Sequence, residues 1–336
     1  MDVGIVGGSG YGGAELLRLL ASHPTLSVRT VAAGSAAGQD LADVFPHLGL
    51  SGTLVPSTPE ALAGCELVFL ATPHAVSLDL APPLRAAGAT VVDLSGAFRL
   101  DPDTFEAWYG LDHTARDDSP APYGLPELFR ADLVGAGLVA GPGCYPTAAL
   151  LALAPLAGLV DADSVTIVGM SGTSGAGKGL RDDLHVSHAL GNTGAYGAPT
   201  HRHTPEIEAQ WSRLTGASAT VSFTPHLVPQ VRGMVVTLNA TLVDDAADVR
   251  AAYADRYAAE PFVTLLPHGT WPQSTHTIGA NTAHVNVAVD PRTGRVTASC
   301  AIDNLAKGAA GQALQAANVA LGLPETAGLP TMAVYP

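Results

Sequence analysis

The sequence opens with Met1-Asp2-Val3-Gly4-Ile5-Val6-Gly7-Gly8-Ser9-Gly10-Tyr11-Gly12-Gly13, an apolar run that leads directly into a cluster of glycines. The apolar run predicts a strand, and residues 14–22 have helical spacing. Gly8, Gly10 and Gly13 fit the pattern G-x-G-x-x-G, in which glycines permit a tight turn and close approach of the backbone to a pyrophosphate. Because a second predicted strand follows at residues 26–33, the stretch predicts a dinucleotide-binding fold.

The end of that second strand bears on the choice of cofactor. Proteins that bind NAD usually carry an acid there, which accepts a hydrogen bond from the ribose 2′-OH. This chain has Ala33-Gly34-Ser35-Ala36-Ala37 instead, with no carboxylate to repel a 2′-phosphate and no arginine to bind one. We therefore expect NADP(H), with Ser35 and nearby backbone N–H groups at the phosphate.

The alternation of strands and helices continues through the first half of the chain. Strands are predicted at residues 67–71 and 90–94, with a helix at 77–87 between them, which predicts a doubly wound sheet. Ligands of such sheets bind beyond the carboxyl ends of the strands. The loops Thr72-Pro73-His74 and Ser95-Gly96-Ala97-Phe98-Arg99 are therefore candidate site segments. The acidic stretch 101–118, which Pro102 is expected to break, is predicted to be an excursion over the surface rather than a new domain.

The second half of the chain predicts a further α/β (α+β) domain. Strands are predicted at residues 165–170, 220–223, 234–242, 284–289 and 296–302, with a helix at 245–259 and a long amphipathic helix from 303 to about 321. We expect a Rossmann-type domain over residues 1–143, completed by the C-terminal helix within 304–336. Residues 144–303 are expected to form the substrate and dimerisation domain.

The turn Gly141-Pro142-Gly143-Cys144-Tyr145-Pro146-Thr147 follows a short predicted strand and precedes an apolar helix. A cysteine at a helix N-terminus lies at the positive end of the macrodipole, which favours the thiolate over the thiol. Pro146 suits the first helical turn because its missing N–H costs nothing there. Cys144 is therefore a candidate nucleophile, although a structural cysteine beside a turn is the simpler alternative.

Two histidines two residues apart, His201 and His203, precede a predicted helix at residues 206–214. A histidine near a thiol can take its proton and later stabilise an oxyanion, so we expect acid–base roles here. Zinc binding is the alternative, but the spacings of the other histidines match no zinc pattern. Residues 172–178 nearly match the P-loop G-x-x-x-x-G-K, yet Gly179 stands where that motif needs a hydroxyl for magnesium.

Composition excludes several classes of protein. The net charge of −14 over 336 residues argues against nucleic acid and against anionic membranes. Three scattered cysteines are too few for a disulfide framework, and no apolar run reaches the ~18 residues of a membrane helix. We expect a cytoplasmic enzyme of a small-molecule substrate.

Taken together, these segments resemble the N-acetyl-γ-glutamyl-phosphate reductases, an NADP-dependent family of arginine biosynthesis related to aspartate-semialdehyde dehydrogenase. The resemblance covers nearly the whole chain. It rests on the ordered segments 7–13, 93–99, 123–127, 141–147, 171–178, 201–207, 224–229, 232–233 and 304–312.

The resemblance implies an acyl phosphate as substrate and a homodimer or homotetramer. It implies that Cys144 forms a thioester and that His203 is the acid–base with His201 close by. We expect no metal, because the spacings of the histidines match no zinc pattern. Asn304 would hold the nicotinamide carboxamide. The other residues assigned to the cofactor are Gly7, Ser9, Gly10, Tyr11, Gly12, Gly13, Ser35, Thr72, Pro73 and Gly175. Those assigned to the substrate are Ser95, Arg99, Tyr145 and Arg232.

Some positions depart from the family pattern. Gly96 stands where an alanine is common, Ala97 where an acid is common, and Ala36 where some relatives have arginine. A sibling enzyme of lysine biosynthesis, which reduces a carrier-linked aminoadipyl phosphate, shares many of these motifs and is the alternative. The segments 144–147 and 224–229 favour the arginine branch.

Overall fold

The computed structural model describes residues 1–244 and 247–335, and the chain divides into two compact units. The first unit comprises Met1–Gly143 together with Ala309–Leu329. The second comprises Cys144–Gly308 and the segment that begins at Pro330. The division therefore differs from the expected one at the C-terminal end, because residues 304–308 and the last residues group with the second unit.

The first unit contains a parallel sheet. Its strands are β1 (Asp2–Val6), β2 (Ser27–Ala33), β3 (Val55–Pro56), β4 (Leu67–Leu70), β5 (Thr90–Asp93) and β6 (Leu138–Ala140). They lie in the order β3-β2-β1-β4-β5-β6, and every neighbouring pair is parallel. This is the strand order of a dinucleotide-binding fold, so the predicted Rossmann-type sheet is confirmed.

The second unit contains a mixed sheet. Its strands are β7 (Thr166–Ser171), β8 (Gly194–Ala195), β9 (Ser222–Leu227), β10 (Met234–Thr241), β11 (Val263–Leu265), β12 (Ala283–Asp290) and β13 (Arg295–Ile302). They lie in the order β11-β12-β13-β10-β7-β9-β8. The predicted second α/β layer is confirmed, and the strand predicted at 220–223 extends further, to Leu227.

The described residues form ten α-helices. In chain order they are α1 (Tyr11–Leu20), α2 (Leu41–Val44), α3 (His74–Ala86), α4 (Pro102–Tyr109), α5 (Pro126–Leu133), α6 (Cys144–Leu153), α7 (Val186–Ala189), α8 (Thr204–Thr215), α9 (Val249–Tyr257) and α10 (Gly311–Ala320). The first residues of the helix predicted at 245–259, Asp245 and Ala246, lie outside the described residues. No helix in the described ranges is long and apolar enough to cross a membrane.

Helix α4 lies within the excursion predicted at 101–118 and corrects the expected break at Pro102. Asp101 caps the helix, since its carboxylate accepts a hydrogen bond from the Thr104 N–H at 3.0 Å. Pro102 was interpreted as a break, but proline is tolerated in the first helical turn. Phe105 is fully buried and stacks on Tyr109, with ring centroids 4.6 Å apart. The excursion is therefore anchored to the first unit by an apolar contact.

Helix α10 is buried on all sides, which corrects its prediction as an amphipathic helix. Every residue from Gly311 to Ala320 is buried, and the helix packs against α1, α5 and β5. Its glutamine amide groups donate hydrogen bonds within the first unit. Gln312 donates to the Gly124 carbonyl at 2.7 Å, and Gln315 donates to Glu127 at 2.8 Å. A buried N–H group with such an acceptor avoids the cost of an unpaired donor.

Close packing in the turn between β1 and α1 explains why three of its residues are glycines. Gly7 has φ +80°, and a Cβ there would lie 2.1 Å from the Ala71 carbonyl oxygen. A Cβ on Gly8 would lie 2.2 Å from a methyl of Val31. A Cβ on Gly13 would lie 2.5 Å from the Gly7 carbonyl oxygen. These glycines are therefore required by the packing of strand, turn and helix, whatever the turn binds.

Gly13 and its neighbour Gly12 give a matched test of this packing. A Cβ on Gly12 would make only an ordinary contact, 3.6 Å from the Ala71 Cβ. We expect Gly13→Ala to lower the free energy of unfolding by about 1–3 kcal/mol, because the backbone of the turn must shift. We expect Gly12→Ala to leave it unchanged or raise it by up to ~1 kcal/mol, because alanine favours the helix. Urea unfolding of the cofactor-free protein measures both, and equal losses would contradict the packing argument.

Candidate active site

The N-terminus of α1 is the candidate pyrophosphate site of the first unit. Gly10 caps the helix without a side-chain hydrogen bond, and no acidic residue lies in the first turn. A Cβ at Gly10 or Gly12 would have room, so these two glycines leave the helix N-terminus open rather than fill it. Ser35 lies exposed in the turn that follows β2. Backbone N–H groups at an open helix N-terminus bind anions.

Thr72 and Ser95 belong to one buried hydrogen-bond network around Asp93. Ser77 donates to Asp93 Oδ1 at 2.7 Å, and the Ser95 hydroxyl donates to Oδ2 at 2.7 Å. The Thr72 hydroxyl lies 2.8 Å from that of Ser77. Burial raises the pKa of Asp93, and these hydroxyls together with the charge of Arg99 oppose the rise. Ser95, expected to contact substrate, thus directs its hydroxyl to the end of β5.

Arg99 is buried and holds the turn that precedes Cys144. Its Nε donates to the Gly141 carbonyl at 2.7 Å, and one terminal nitrogen donates to the Leu94 carbonyl at 2.9 Å. The guanidinium therefore joins the carboxyl end of β5 to the turn after β6. A cation placed there can bind substrate only through its remaining N–H groups.

Cys144 is the first residue of α6, as the sequence predicted, and its side chain is half-buried. Tyr145, expected to contact substrate, has a different position. Its side chain is 2% exposed, and its hydroxyl donates to the His226 carbonyl at 2.9 Å. Close packing fixes the ring, since a Cβ on Gly169 would lie 2.5 Å from it. Tyr145 is therefore part of the support beneath the cysteine.

His201 and His203 lie together over Tyr145. The two imidazole centroids are 4.9 Å apart, and they lie 5.8 and 6.0 Å from the Tyr145 ring in edge-to-face contacts. Tyr196 contacts His201 in the same way at 5.4 Å. The structure thus brings both predicted histidines into one aromatic cluster with the residue that follows Cys144.

The imidazole of His201 accepts a hydrogen bond that fixes its tautomer. The backbone N–H of His203 donates to His201 Nδ1 at 3.2 Å. That bond assigns the proton of a neutral His201 to Nε2, since Nδ1 is the acceptor. Burial, and next the charge of Arg202, lowers the pKa of His201 to about 4. Protonation of Nδ1 would oppose the His203 N–H, so His201 is held as a neutral hydrogen-bond donor.

Arg232 and Asn304 lie in two segments, 232–233 and 303–304, that are joined by an ion pair and a hydrogen bond. Arg232 makes a bidentate ion pair with the buried carboxylate of Asp303, with distances of 2.9 and 3.0 Å. The side-chain oxygen Oδ1 of Asn304 accepts a hydrogen bond from the Gly233 N–H at 2.7 Å, and its side-chain amide donates to the Ser174 hydroxyl at 2.8 Å. Only their remaining donors are available to a ligand.

The near match to a P-loop does not have the structure of one. After β7 the chain enters a short 3-10 helix over Thr173–Ala176, and Gly177 has φ +83°. A P-loop cradles phosphate at the N-terminus of an α-helix, which does not follow here. Gly175 is exposed, and a Cβ there would lie 3.0 Å from the Ser171 hydroxyl. The loop is therefore a glycine-dependent turn rather than a nucleotide triphosphate site.

Sequence reasoning missed two residues of this region. Asp303 accepts hydrogen bonds from the backbone N–H groups of Gly279, Leu305 and Ala306 as well as from Arg232. Its position directly before Asn304 was the available signal. Tyr196 is the second missed residue, and its signal was an aromatic side chain in a glycine-rich loop. Among the described residues, no set of three converging metal ligands includes His201 or His203.

Comparisons with known proteins agree with the fold of both units. The sequence profile of the semialdehyde dehydrogenase NAD binding domain matches residues 2–136, and that of the semialdehyde dehydrogenase dimerisation domain matches residues 144–304. An aspartate semialdehyde dehydrogenase II from Vibrio cholerae has the same fold, with a TM-score of 0.72 and 18% identity over 95% of this chain and 97% of that one.

Curated relatives are much closer in sequence. An N-acetyl-γ-glutamyl-phosphate reductase of Symbiobacterium thermophilum is 48% identical over 97% of both chains. One of Crocosphaera subtropica is 44% identical over 100% of this chain and 98% of that protein. The chain therefore belongs to the N-acetyl-γ-glutamyl-phosphate reductase family of the semialdehyde dehydrogenases.

Proposed function

We propose that this protein is an NADP-dependent, phosphorylating reductase of arginine biosynthesis. It converts N-acetyl-L-glutamyl 5-phosphate into N-acetyl-L-glutamate 5-semialdehyde and phosphate. The observation that carries the proposal is Cys144 at the first residue of α6, in one unit with the paired His201 and His203. The relatives described above bear the arginine-branch name, which disfavours the carrier-linked aminoadipyl phosphate of lysine biosynthesis.

The residues of the first unit fit a nicotinamide dinucleotide. Gly10 and Gly12 leave the N-terminus of α1 open, and no acid follows β2 to oppose a 2′-phosphate near Ser35. A structural relative from Candida albicans, an aspartate semialdehyde dehydrogenase, was solved with NADP. When bound, NADPH supplies the hydride. Ser9, Tyr11, Thr72, Pro73, Gly175 and Asn304 stay predictions as further contacts.

Cys144 performs the covalent step. Its sulfur attacks the acyl carbon, the bond to the phosphate oxygen breaks, and phosphate leaves with that oxygen. The acyl group remains as a thioester on the cysteine. The helix N-terminus favours the thiolate both as attacking group and, after reduction, as leaving group.

The hydrogen bond at His201 Nδ1 supports different roles for the two histidines. His203 takes the thiol proton as the sulfur attacks, and the resulting imidazolium stabilises the oxyanion that forms at the same carbon. His201 is fixed as a neutral donor, because its Nδ1 accepts from the His203 backbone. His203 is therefore the proposed acid–base, and His201 orients it.

Assembly and location complete the proposal. The second unit matches a dimerisation domain, and Val168 and Met170 lie exposed on one face of its sheet. Exposed apolar side chains on a sheet favour association with another copy. We propose a homodimer or homotetramer that acts in the cytoplasm.

Replacing the nucleophile tests the proposal directly. We expect Cys144→Ser to keep its affinity for NADPH and to lose phosphate-dependent reduction of NADP with N-acetylglutamate semialdehyde. Cys65→Ser is the matched control, because burial raises the pKa of that thiol and leaves it unreactive. Mass spectrometry of the wild-type protein quenched during turnover should find the acyl group on residue 144. Turnover by Cys144→Ser, or an adduct elsewhere, would refute the mechanism.

Substitution of each histidine separates their roles. We expect His203→Gln to lower kcat about 10²–10⁴-fold, the usual loss when a general acid–base is removed. His201→Asn should lower it less than tenfold, because the asparagine oxygen can still accept from the His203 N–H. Steady-state kinetics at saturating substrate measure both. Larger damage from His201→Asn would reverse the assignment.

The neutral state of His201 also predicts a dependence of stability on pH. The folded protein keeps this ring neutral down to about pH 4, whereas in the unfolded chain it binds a proton near pH 6.5. The unfolded state therefore binds more protons between these values, and stability falls as the pH falls through that window.

We expect the loss of Tm between pH 7 and pH 5 to be smaller in His201→Asn than in the wild type. His268→Gln, which changes an exposed histidine, is the control and should show the wild-type loss. Thermal unfolding across this pH range measures the difference. An identical loss in His201→Asn would contradict the assignment of a depressed pKa.

A further inference from the structure

The second unit contains a cavity of about 190 Å³ that no step described so far uses. The loop after β7, helix α7, strand β8 and the end of β9 line it. Pockets for drug-sized ligands usually measure ~300–1,000 Å³, so this one suits a smaller group such as an amino-acid derivative. Its lining includes Arg181, Asp183, Asn192, Tyr196, Leu227 and Val228.

Tyr196 connects the cavity wall to the residues around Cys144. Its hydroxyl donates to the Tyr145 hydroxyl at 3.3 Å, and its ring contacts His201 at 5.4 Å. The residue is 39% exposed, but desolvation of its phenol oxygen, and then the charge of the Cys144 sulfur, raises the pKa of Tyr196 to about 12 against the opposing effects of Tyr145 and Arg181. The phenol is therefore protonated at neutral pH and remains a hydrogen-bond donor. The same side chain thus lines the cavity and interacts electrostatically with the Cys144 sulfur.

Arg181 supplies a cation at this wall. Its Nε donates to Asp183 Oδ1 at 2.9 Å. The two side chains are 51% and 49% exposed, so solvent screens their ion pair and it contributes little to stability. A ligand carboxylate can therefore replace or share this contact at small cost. Arginine offers such a carboxylate two parallel N–H groups, which makes the pairing geometrically specific.

Leu227 and Val228 supply an apolar part of the lining. Leu227 ends β9, and Val228 follows it with its N–H donating to the Ser171 carbonyl at 3.0 Å. The backbone of this wall is thus tied to β7 and presents its side chains to the cavity. A methyl group gains ~0.8 kcal/mol, or about fourfold in affinity, when such a surface removes it from water. An ammonium group in that place would lose hydration without gaining a partner.

We propose that this cavity binds the N-acylated amino-acid end of the acyl-phosphate substrate. Arg181 pairs with its α-carboxylate, and Leu227 with Val228 contacts its acyl methyl. The inference rests on the proposed function, since it names the part of the same substrate that is remote from the sulfur. It makes the cavity the determinant that separates N-acyl acidic amino acids from simple aldehydes and from free amino acids.

Kinetics of an Arg181 variant test the carboxylate contact. We expect Arg181→Gln to raise KM for N-acetylglutamate semialdehyde about 10- to 100-fold, the worth of a charge-assisted pair. Its kcat should stay within about threefold, and KM for NADP should not change, because the chemistry lies elsewhere. An unchanged KM for the semialdehyde would overturn the inference and leave the proposed function standing.

Arg292→Gln is the matched control. Arg292 makes the same local pair, with an aspartate two residues earlier, and its Nε lies 3.2 Å from Asp290 Oδ1. It lies between β12 and β13 and does not line the cavity. We expect this variant to have wild-type values of KM and kcat. A rise of KM equal to that of Arg181→Gln would mean a general charge effect and would overturn the inference.

Binding to the Cys144→Ser protein separates the cavity from the chemistry. Calorimetry should show that N-acetyl-L-glutamate binds at least tenfold more tightly than 4-acetamidobutyrate, which lacks the α-carboxylate. N-formyl-L-glutamate, which lacks the methyl, should bind about fourfold more weakly than the acetyl compound. Adding Arg181→Gln should abolish the first difference and keep the second.

The outcomes distinguish the two proposals. Binding that depends on Arg181 without turnover of the semialdehyde would refute the proposed function and keep the cavity as an N-acyl amino-acid site. Turnover with equal affinity for N-acetyl-L-glutamate and 4-acetamidobutyrate would refute the cavity and keep the function. The absence of both binding and turnover would refute both.

Discussion

The buried helix α6 is the constraint on which the second unit depends. Every residue from Tyr145 to Leu153 is buried, and the helix packs on β10, β13 and α8. Its last carbonyls have partners from α9, because the hydroxyls of Tyr253 and Tyr257 donate to the carbonyls of Ala152 and Leu151. Anchored at one end by tyrosines and along its length by apolar contact, the helix fixes the position of Cys144 at its other end. The position of the Cys144 sulfur is thus supported by packing that extends the full length of α6.

A second constraint comes from the pairing of two dipeptides. Arg232 binds Asp303, and Gly233 binds Asn304, so two distant segments of the chain are locked together. Gly233 has φ +99°, and a Cβ there would lie 2.8 Å from Ser274. Removing one member of such a buried ion pair leaves the other charge uncompensated, which is costly. These residues are therefore positioned before any ligand arrives, which reduces the entropy cost of binding.

Much of the fold followed from local patterns. The turn at Gly7–Gly13, the helix that begins at Cys144 and the alternation of strands and helices were all predicted, because glycine freedom, proline placement and apolar periodicity are properties of neighbouring residues. Helix α4 was missed because Pro102 was interpreted as a break rather than as a first-turn residue. Helix α10 was predicted to be amphipathic, since Gln312 and Gln315 give it a polar character in sequence. Tertiary packing buries both side chains, and their amide groups donate hydrogen bonds to other segments of the first unit.

The sequence by itself determined the parallel sheet of the first unit, and it predicted the candidate nucleophile and the pair of histidines, since each depends on residue types at short spacing. The tertiary structure alone decided that Tyr145 supports the site, that His201 is a neutral donor and that Arg181 lines a cavity with Leu227. The physical reason is that hydrogen-bond partners and burial join residues far apart in the chain. Such contacts leave no periodicity or motif in the sequence.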